Sequence, residues 1–296
     1  MNDKIRRGSL LAAAASTYAG CVDIDNYLTI VALEDGLTAS LSVNAVEYCI
    51  DGNGNWSTLT ADTASPAINK GQTLSFRGNL TPASSTGVGT FKISKSCDLT
   101  GNCMSLLFGD NAKTNLSLSG KNYAFSKLFY NCSTIKNVSS SFLPATTLAS
   151  YCYYYMFYDC TSLTTAPKSL PATTLASSCY QYMFSGCSSL TTAPELPATT
   201  LKSGCYGSMF YNCGSLTTAP QLPATTLASY CYSQMFLYCS KLNYIKALFT
   251  TTPSSSYTNN WVYGVASSGT FVKNKNATWD VTGVNGIPSR WTVQTA

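Results

Sequence analysis

Apolar and polar positions change rhythm about one third of the way along the chain. Between residues 22 and 94, short β-favouring runs alternate with turn residues. Tyr27 to Leu33 and Leu37 to Val43 flank Glu34-Asp35-Gly36, and the Asp-Gly pair signals a hairpin turn. Val46 to Ile50 and Trp56 to Leu59 flank Asp51-Gly52-Asn53-Gly54-Asn55. That loop lacks the alternating carboxylates and closing Glu of an EF-hand, so it reads as a long turn rather than a calcium site. Gln72 to Arg77 and Gly89 to Ile93 complete a set of short strands, which predicts a small β-sandwich.

Beyond residue 95 the pattern repeats. Leu-Pro-Ala-Thr-Thr-Leu begins at Leu143, Leu170, Leu196 and Leu222, and Met-Phe recurs at Met156, Met183, Met209 and Met235, so both series step by 27, 26 and 26 residues. A fixed period of about 20–50 residues marks stacked units, none of which buries its apolar face alone. Cys103 to Phe108 and Leu128 to Cys132 carry the motif in degraded form, as first repeats often do, giving two degenerate and four regular copies. Within a copy, Leu163 to Pro167 predicts a short strand ended by proline, Leu170-Pro171 a turn, and Ser178 to Cys187 a helix of two to three turns. The expected class is α+β: the β-sandwich, a solenoid of one short strand and one short helix per coil, and a C-terminal β cap over 250–296 built on Trp261 to Tyr263, Gly269 to Val272 and Trp291 to Val293.

Residues recurring at one position in every coil stack on their own copies. This predicts core ladders of Cys152, Cys179, Cys205 and Cys231, of Cys160, Cys187, Cys213 and Cys239, and of Phe157, Phe184, Phe210 and Phe236. The cysteines read as buried, unpaired thiols, because no short chelating pair and no histidine accompany them. Positions that vary between copies are the candidate recognition surface: Tyr151, Tyr154, Tyr155 and Tyr158 in the first copy, Gln181 and Tyr182 in the second, Tyr211 in the third, Tyr230 and Gln234 in the fourth. Tyrosine supplies contact area at low entropic cost, although the same residues also serve as amphipathic cover. The pairs Thr164/Thr165, Thr191/Thr192 and Thr217/Thr218 line up on the expected β face, as good strand residues do.

The spacing Phe-x-x-Cys-x-x-Leu, as in Phe157-Tyr158-Asp159-Cys160-Thr161-Ser162-Leu163, resembles the BspA-like (Treponema-type) leucine-rich repeat over roughly residues 95–249. Leu-Pro-Ala-Thr-Thr-Leu departs from the Ile-Pro-x-x-Val type of segment more usual there, and is similar to surface proteins of gut Bacteroidetes and of the phages that infect them. The resemblance implies adhesion or host recognition.

Only 10% of the chain is charged, and the net charge of +5 is spread without a basic run, so there is no footprint for nucleic acid. Histidine, the commonest general base, is absent. No nucleophile elbow, phosphate loop or dinucleotide fingerprint occurs, and Asp110, Asp159 and Glu195 have no evident partner in the sequence. A non-enzymatic chain without cofactor or metal is expected. The first 21 residues place Lys4, Arg6 and Arg7 before an apolar run ending at Ala19-Gly20-Cys21. This is either a segment docking the chain to a particle or a lipoprotein-type signal with Cys21 as the lipidated residue. The expected role is attachment to a protein or glycan on a host surface, as a virion fibre or appendage component contacting other virion proteins through its first residues. The alternatives are a lipid-anchored adhesin on the bacterial outer surface and a purely structural spacer, and homo-oligomers remain open.

Overall fold

The computed structural model describes residues 23–296, so Cys21 and the docking segment lie outside the described residues. Three open sheets carry the strands. In the largest, β1 (Leu28–Ala32) lies at the centre, between β5 (Thr73–Arg77) and β7 (Cys97–Gly101). β3 (Val46–Ile50) and β4 (Ser57–Leu59) extend it on one side, and β8 (Ile135–Val138) extends it on the other. Every pairing is antiparallel except β7 with β8. β2 (Ala39–Leu41) and β6 (Phe91–Ile93) form a separate ribbon, whose Phe91 packs against Phe76 of β5 at 5.0 Å. β9 (Tyr244–Ala247), β10 (Thr270–Lys273) and β11 (Thr292–Thr295) make a parallel sheet with β10 in the middle.

This corrects the expected α+β class. The first sheet is an open, six-stranded one rather than a sandwich, and it takes strands from both sides of residue 94. β1 and β2 do not form the hairpin expected across Asp35-Gly36. Leu37 instead bridges Ile68, and β2 pairs with β6. Nor does the repeat form a solenoid of strand-plus-helix coils. Only 6% of the described residues are helical, and among them α1 (Ser105–Phe108), α2 (Ser255–Thr258) and two 3-10 segments account for this, so none falls in the four regular copies.

The reason lies in the backbone. Through the first copy, Tyr151, Tyr155 and Asp159 have φ of 58°, 57° and 56°. The same left-handed conformation recurs at every fourth residue in each copy, including Ser178, Tyr182 and Gly186, then Gly204, Ser208 and Asn212, then Tyr230, Gln234 and Tyr238. No right-handed helix survives that. The segment is instead a run of successive tight turns with two alternating hydrogen-bond destinations. The N–H groups of Tyr151, Tyr153, Tyr155, Phe157 and Asp159 donate to the carbonyls of Ser177, Cys179, Gln181, Met183 and Ser185 in the next copy, at 2.7–3.2 Å. Those of Cys152, Tyr154, Met156, Tyr158 and Cys160 donate three residues back along their own turn.

Packing follows the ladder. Phe129, Phe157, Phe184, Phe210 and Phe236 stack nearly parallel, 5.4–5.9 Å apart. Phe91 continues the column into the β2–β6 ribbon and Trp261 continues it towards the last sheet. Phe125, Tyr153, Tyr180, Tyr206 and Tyr232 form a second column at 5.5–6.0 Å. A left-handed non-glycine residue costs about 1–2 kcal/mol, while one buried large side chain returns about 1.5–3 kcal/mol. Each copy buries Cys, Tyr, Met, Phe and Cys against three left-handed positions, so packing carries the turn run.

Two tests follow from this backbone. Far-ultraviolet circular dichroism will lack the paired helical minima; a spectrum with substantial helix contradicts the turn run. Ser178→Val, a branched residue at φ 52°, will lower urea-unfolding stability by about 1–2 kcal/mol, whereas Ser178→Gly will not lower it.

Candidate recognition surface

The four-residue rhythm sorts the side chains of the repeat. The Cys, Tyr153-column, Met and Phe positions point inward and are buried, whereas most left-handed positions are half-buried or exposed, with Gly186, Gly204 and Ser208 buried. Cys152, Cys179, Cys205, Cys231, Cys160, Cys187, Cys213 and Cys239 are all buried and free, as are Cys49, Cys97, Cys103 and Cys132 among the described residues. In the second ladder each thiol donates to the Phe carbonyl of the preceding copy: Cys160 to Phe129, Cys187 to Phe157, Cys213 to Phe184 and Cys239 to Phe210, at 2.9–3.2 Å. A thiol suits this slot because it is small, apolar and still a weak donor. Burial pushes these thiols up, Cys231 and Cys239 to about 12, which keeps them protonated and poor nucleophiles.

On the outward side the structure gathers part of the candidate set. Tyr151, Tyr154, Tyr155, Tyr158 and Tyr182 are half-buried and form one network of ring contacts. Tyr123 and Tyr130 extend it from the degenerate copy before, stacked on Tyr151 at 4.8 Å and on Tyr158 at 5.0 Å. Tyr155 and Tyr182 are parallel at 4.6 Å, with Tyr154 edge-on to both. Because stacking covers the ring faces within each column, the network presents mainly ring edges and hydroxyls. Burial, together with the neighbouring Tyr154 side chain, pushes the Tyr155 phenol up, so that hydroxyl remains neutral.

The other candidates lie apart from this network. Tyr211 meets Tyr238 edge-on at 5.8 Å, and Tyr238 meets Tyr263, making a second and smaller aromatic group. Tyr230 is exposed. Gln234 accepts a hydrogen bond from Ser208, and Gln181 lies over Gly207. Reading the sequence missed Tyr123, Tyr130, Tyr238 and Tyr263. The signal for the first two was the register of the degenerate copy, since Tyr123, Lys127 and Asn131 occupy the same left-handed slots as Tyr151, Tyr155 and Asp159. The threonine pairs Thr164/Thr165, Thr191/Thr192 and Thr217/Thr218 are exposed, and Thr165 bridges both Asn137 and Thr192.

Charged chemistry collects elsewhere. Asp110, without a visible partner in the sequence, accepts hydrogen bonds from the Tyr27 hydroxyl and the Arg77 guanidinium at 2.8 Å each. Arg77 also binds Glu47 at 2.8 Å and lies over the Trp56 ring at 4.1 Å. The Tyr27 hydroxyl and then Arg77 hold the Asp110 carboxyl below its ordinary range. Asp159 and Glu195 are exposed, and no ion pair forms at either among the described residues. Compared with protein-family models, curated proteins and solved structures, the chain finds no match.

The thiols make stability depend on alkaline pH. Above 9.0, the ordinary value, thiols of the unfolded chain ionise while the buried ones hold their protons to about 12. The native state then binds more protons, so stability falls as pH rises through that window, by up to about 1.4 kcal/mol per pH unit for each thiol involved. Denaturant titrations will show little thiol-linked change below pH 9.0 and a steep decline above it. A flat profile there places the cysteines outside the core.

Proposed function

We propose that this chain is a non-enzymatic attachment and recognition protein displayed on a surface, a component of a phage virion fibre or appendage. In this reading the tyrosine network on the first copies binds a protein or glycan of the host surface. The first residues contact other virion proteins. One observation carries the reading. The slots that hold Tyr151 and Tyr155 in one copy hold Gly204 and Ser208 in another, with the same left-handed backbone and the same inter-copy hydrogen bonds. The coil therefore does not need tyrosine there. A bulky residue is also costly at positive φ. Clustering seven tyrosines on one face, at slots where glycine or serine serves the fold, points to a role outside it. Tyrosine edges and hydroxyls suit a polar, adaptable contact.

A second reading is favoured by the first 21 residues, where Lys4, Arg6 and Arg7 precede an apolar run ending at Cys21. In it the same adhesive face sits on a bacterial outer surface, anchored through lipidated Cys21. Intact mass of native material separates the two: a chain beginning at acylated Cys21 supports the anchor, and a chain retaining its first residues supports docking.

Tyr151→Ser, Tyr154→Ser and Tyr155→Ser combined will weaken adsorption to host cells by about 10–100-fold, as loss of aromatic anchors does. The thermal transition should stay cooperative. Unchanged adsorption by the folded triple variant contradicts the assignment of this face.

A further inference from the structure

A separate cavity of about 270 Å³ opens between β3, β5 and the segment following α1. Glu47, Arg77, Asn79, Phe108, Asp110 and Asn111 line it. It stands out because the chain is only 10% charged, yet two of the four ion pairs among the described residues meet at this one guanidinium. A third, between Lys113 and Asp23, lies beside it and is linked through Asn26, whose side chain binds both the Asp110 carbonyl and the Lys113 N–H. Stacking of Arg77 on Trp56, with Tyr27 edge-on to the same indole at 4.9 Å, fixes the guanidinium in place. The wall is thus held rigid before any ligand arrives.

The balance of charge selects the ligand. Glu47 and Asp110 contribute two negative charges, and Arg77 contributes one positive charge. Lys121 lies over the Phe108 ring at 5.9 Å but outside the lining, so the lining itself carries one net negative charge. The neighbouring Asp23–Lys113 pair cancels. That net charge disfavours an anion, and the one lining cation already binds both carboxylates, which leaves no open carboxylate pair for a metal ion. What remains are carboxylate oxygens, guanidinium N–H groups and the exposed amides of Asn79 and Asn111, arranged beside one aromatic ring. That set offers acceptors and donors to vicinal hydroxyls and an apolar edge to C–H groups.

We infer that this cavity binds a single ring of a neutral saccharide. The site is distinct from the tyrosine face and does not depend on its role. It adds a second point of contact, which would raise avidity if both engage one surface.

Saturation-transfer NMR on the full chain, with glucose, galactose, mannose and N-acetylglucosamine as probes, tests this directly. Glucosamine and a sialic acid serve as charged controls. At least one neutral sugar will bind with a Kd on the order of 1–10 mM, the range open to so small a ligand. Asn79→Ala with Asn111→Ala, both exposed positions, will weaken that binding at least tenfold, while the triple tyrosine variant retains it. Asp110→Asn serves as a second variant, with near-ultraviolet dichroism confirming its fold. No binding by any neutral sugar overturns the inference. So does unchanged binding in the Asn79/Asn111 variant, a preference for a charged control, or loss in the tyrosine variant alone.

Discussion

Backbone hydrogen bonds between successive copies, taken up at every second residue of the turn run, are what the rest of the structure depends on. They hold Tyr153 against Cys179 and Phe157 against Met183, and so set the spacing of the aromatic columns. Each such bond contributes only about 0.5–1.5 kcal/mol net, and leaving one unmade in the interior costs more than that. Their main effect is to fix register. Once register is fixed, identical residues meet, and the Phe column runs without a break from Phe91 to Trp261. Substituting one member therefore disturbs two neighbours, as expected where each unit packs only on those beside it.

The same ladder explains how variation is allowed. Inward positions share one column and one chemistry, so they repeat as Cys, Tyr, Met, Phe and Cys. The left-handed positions keep the same backbone conformation with differing side chains, and in the regular copies they range over Tyr, Ser, Gly, Gln, Asp and Asn. A scaffold with a fixed interior and free outward slots suits display. The Arg77 network is a different device, because its rigidity comes from paired charges and an indole rather than from repetition.

Much of this could be read from the chain. The period and the inward residues followed from the recurrence of Leu-Pro-Ala-Thr-Thr-Leu and Met-Phe. The helix did not follow correctly, for a specific reason. Cys152, Tyr153, Met156, Phe157 and Cys160 fit a period of 4.0 as well as the helical 3.6, because the two differ by less than one residue over so short a run. A signal against the helix was present in one column. Asn131, Asp159, Gly186 and Asn212 share a slot, and these are the residue types that tolerate the left-handed region. At Gly186 the requirement is doubled, since a Cβ there would meet the Asp159 carboxylate at 2.7 Å. The tyrosine network was half legible: the degenerate copy keeps the register of the regular ones, but without their Leu-Pro-Ala-Thr-Thr-Leu its outward residues are not singled out by comparing copies. Arg77, Glu47 and Asp110 lie far apart in sequence and meet only through the sheet, so no spacing announced them.

Scalar couplings transmitted across hydrogen bonds test the ladder most directly, because they name donor and acceptor individually. In deuterated protein, the amide nitrogen of Tyr153 will couple to the carbonyl carbon of Cys179, and that of Phe157 to the carbonyl carbon of Met183. Couplings of Tyr153 to Ala149 and of Phe157 to Tyr153, four residues back, would instead mean that the copies are helical and the ladder described here is wrong.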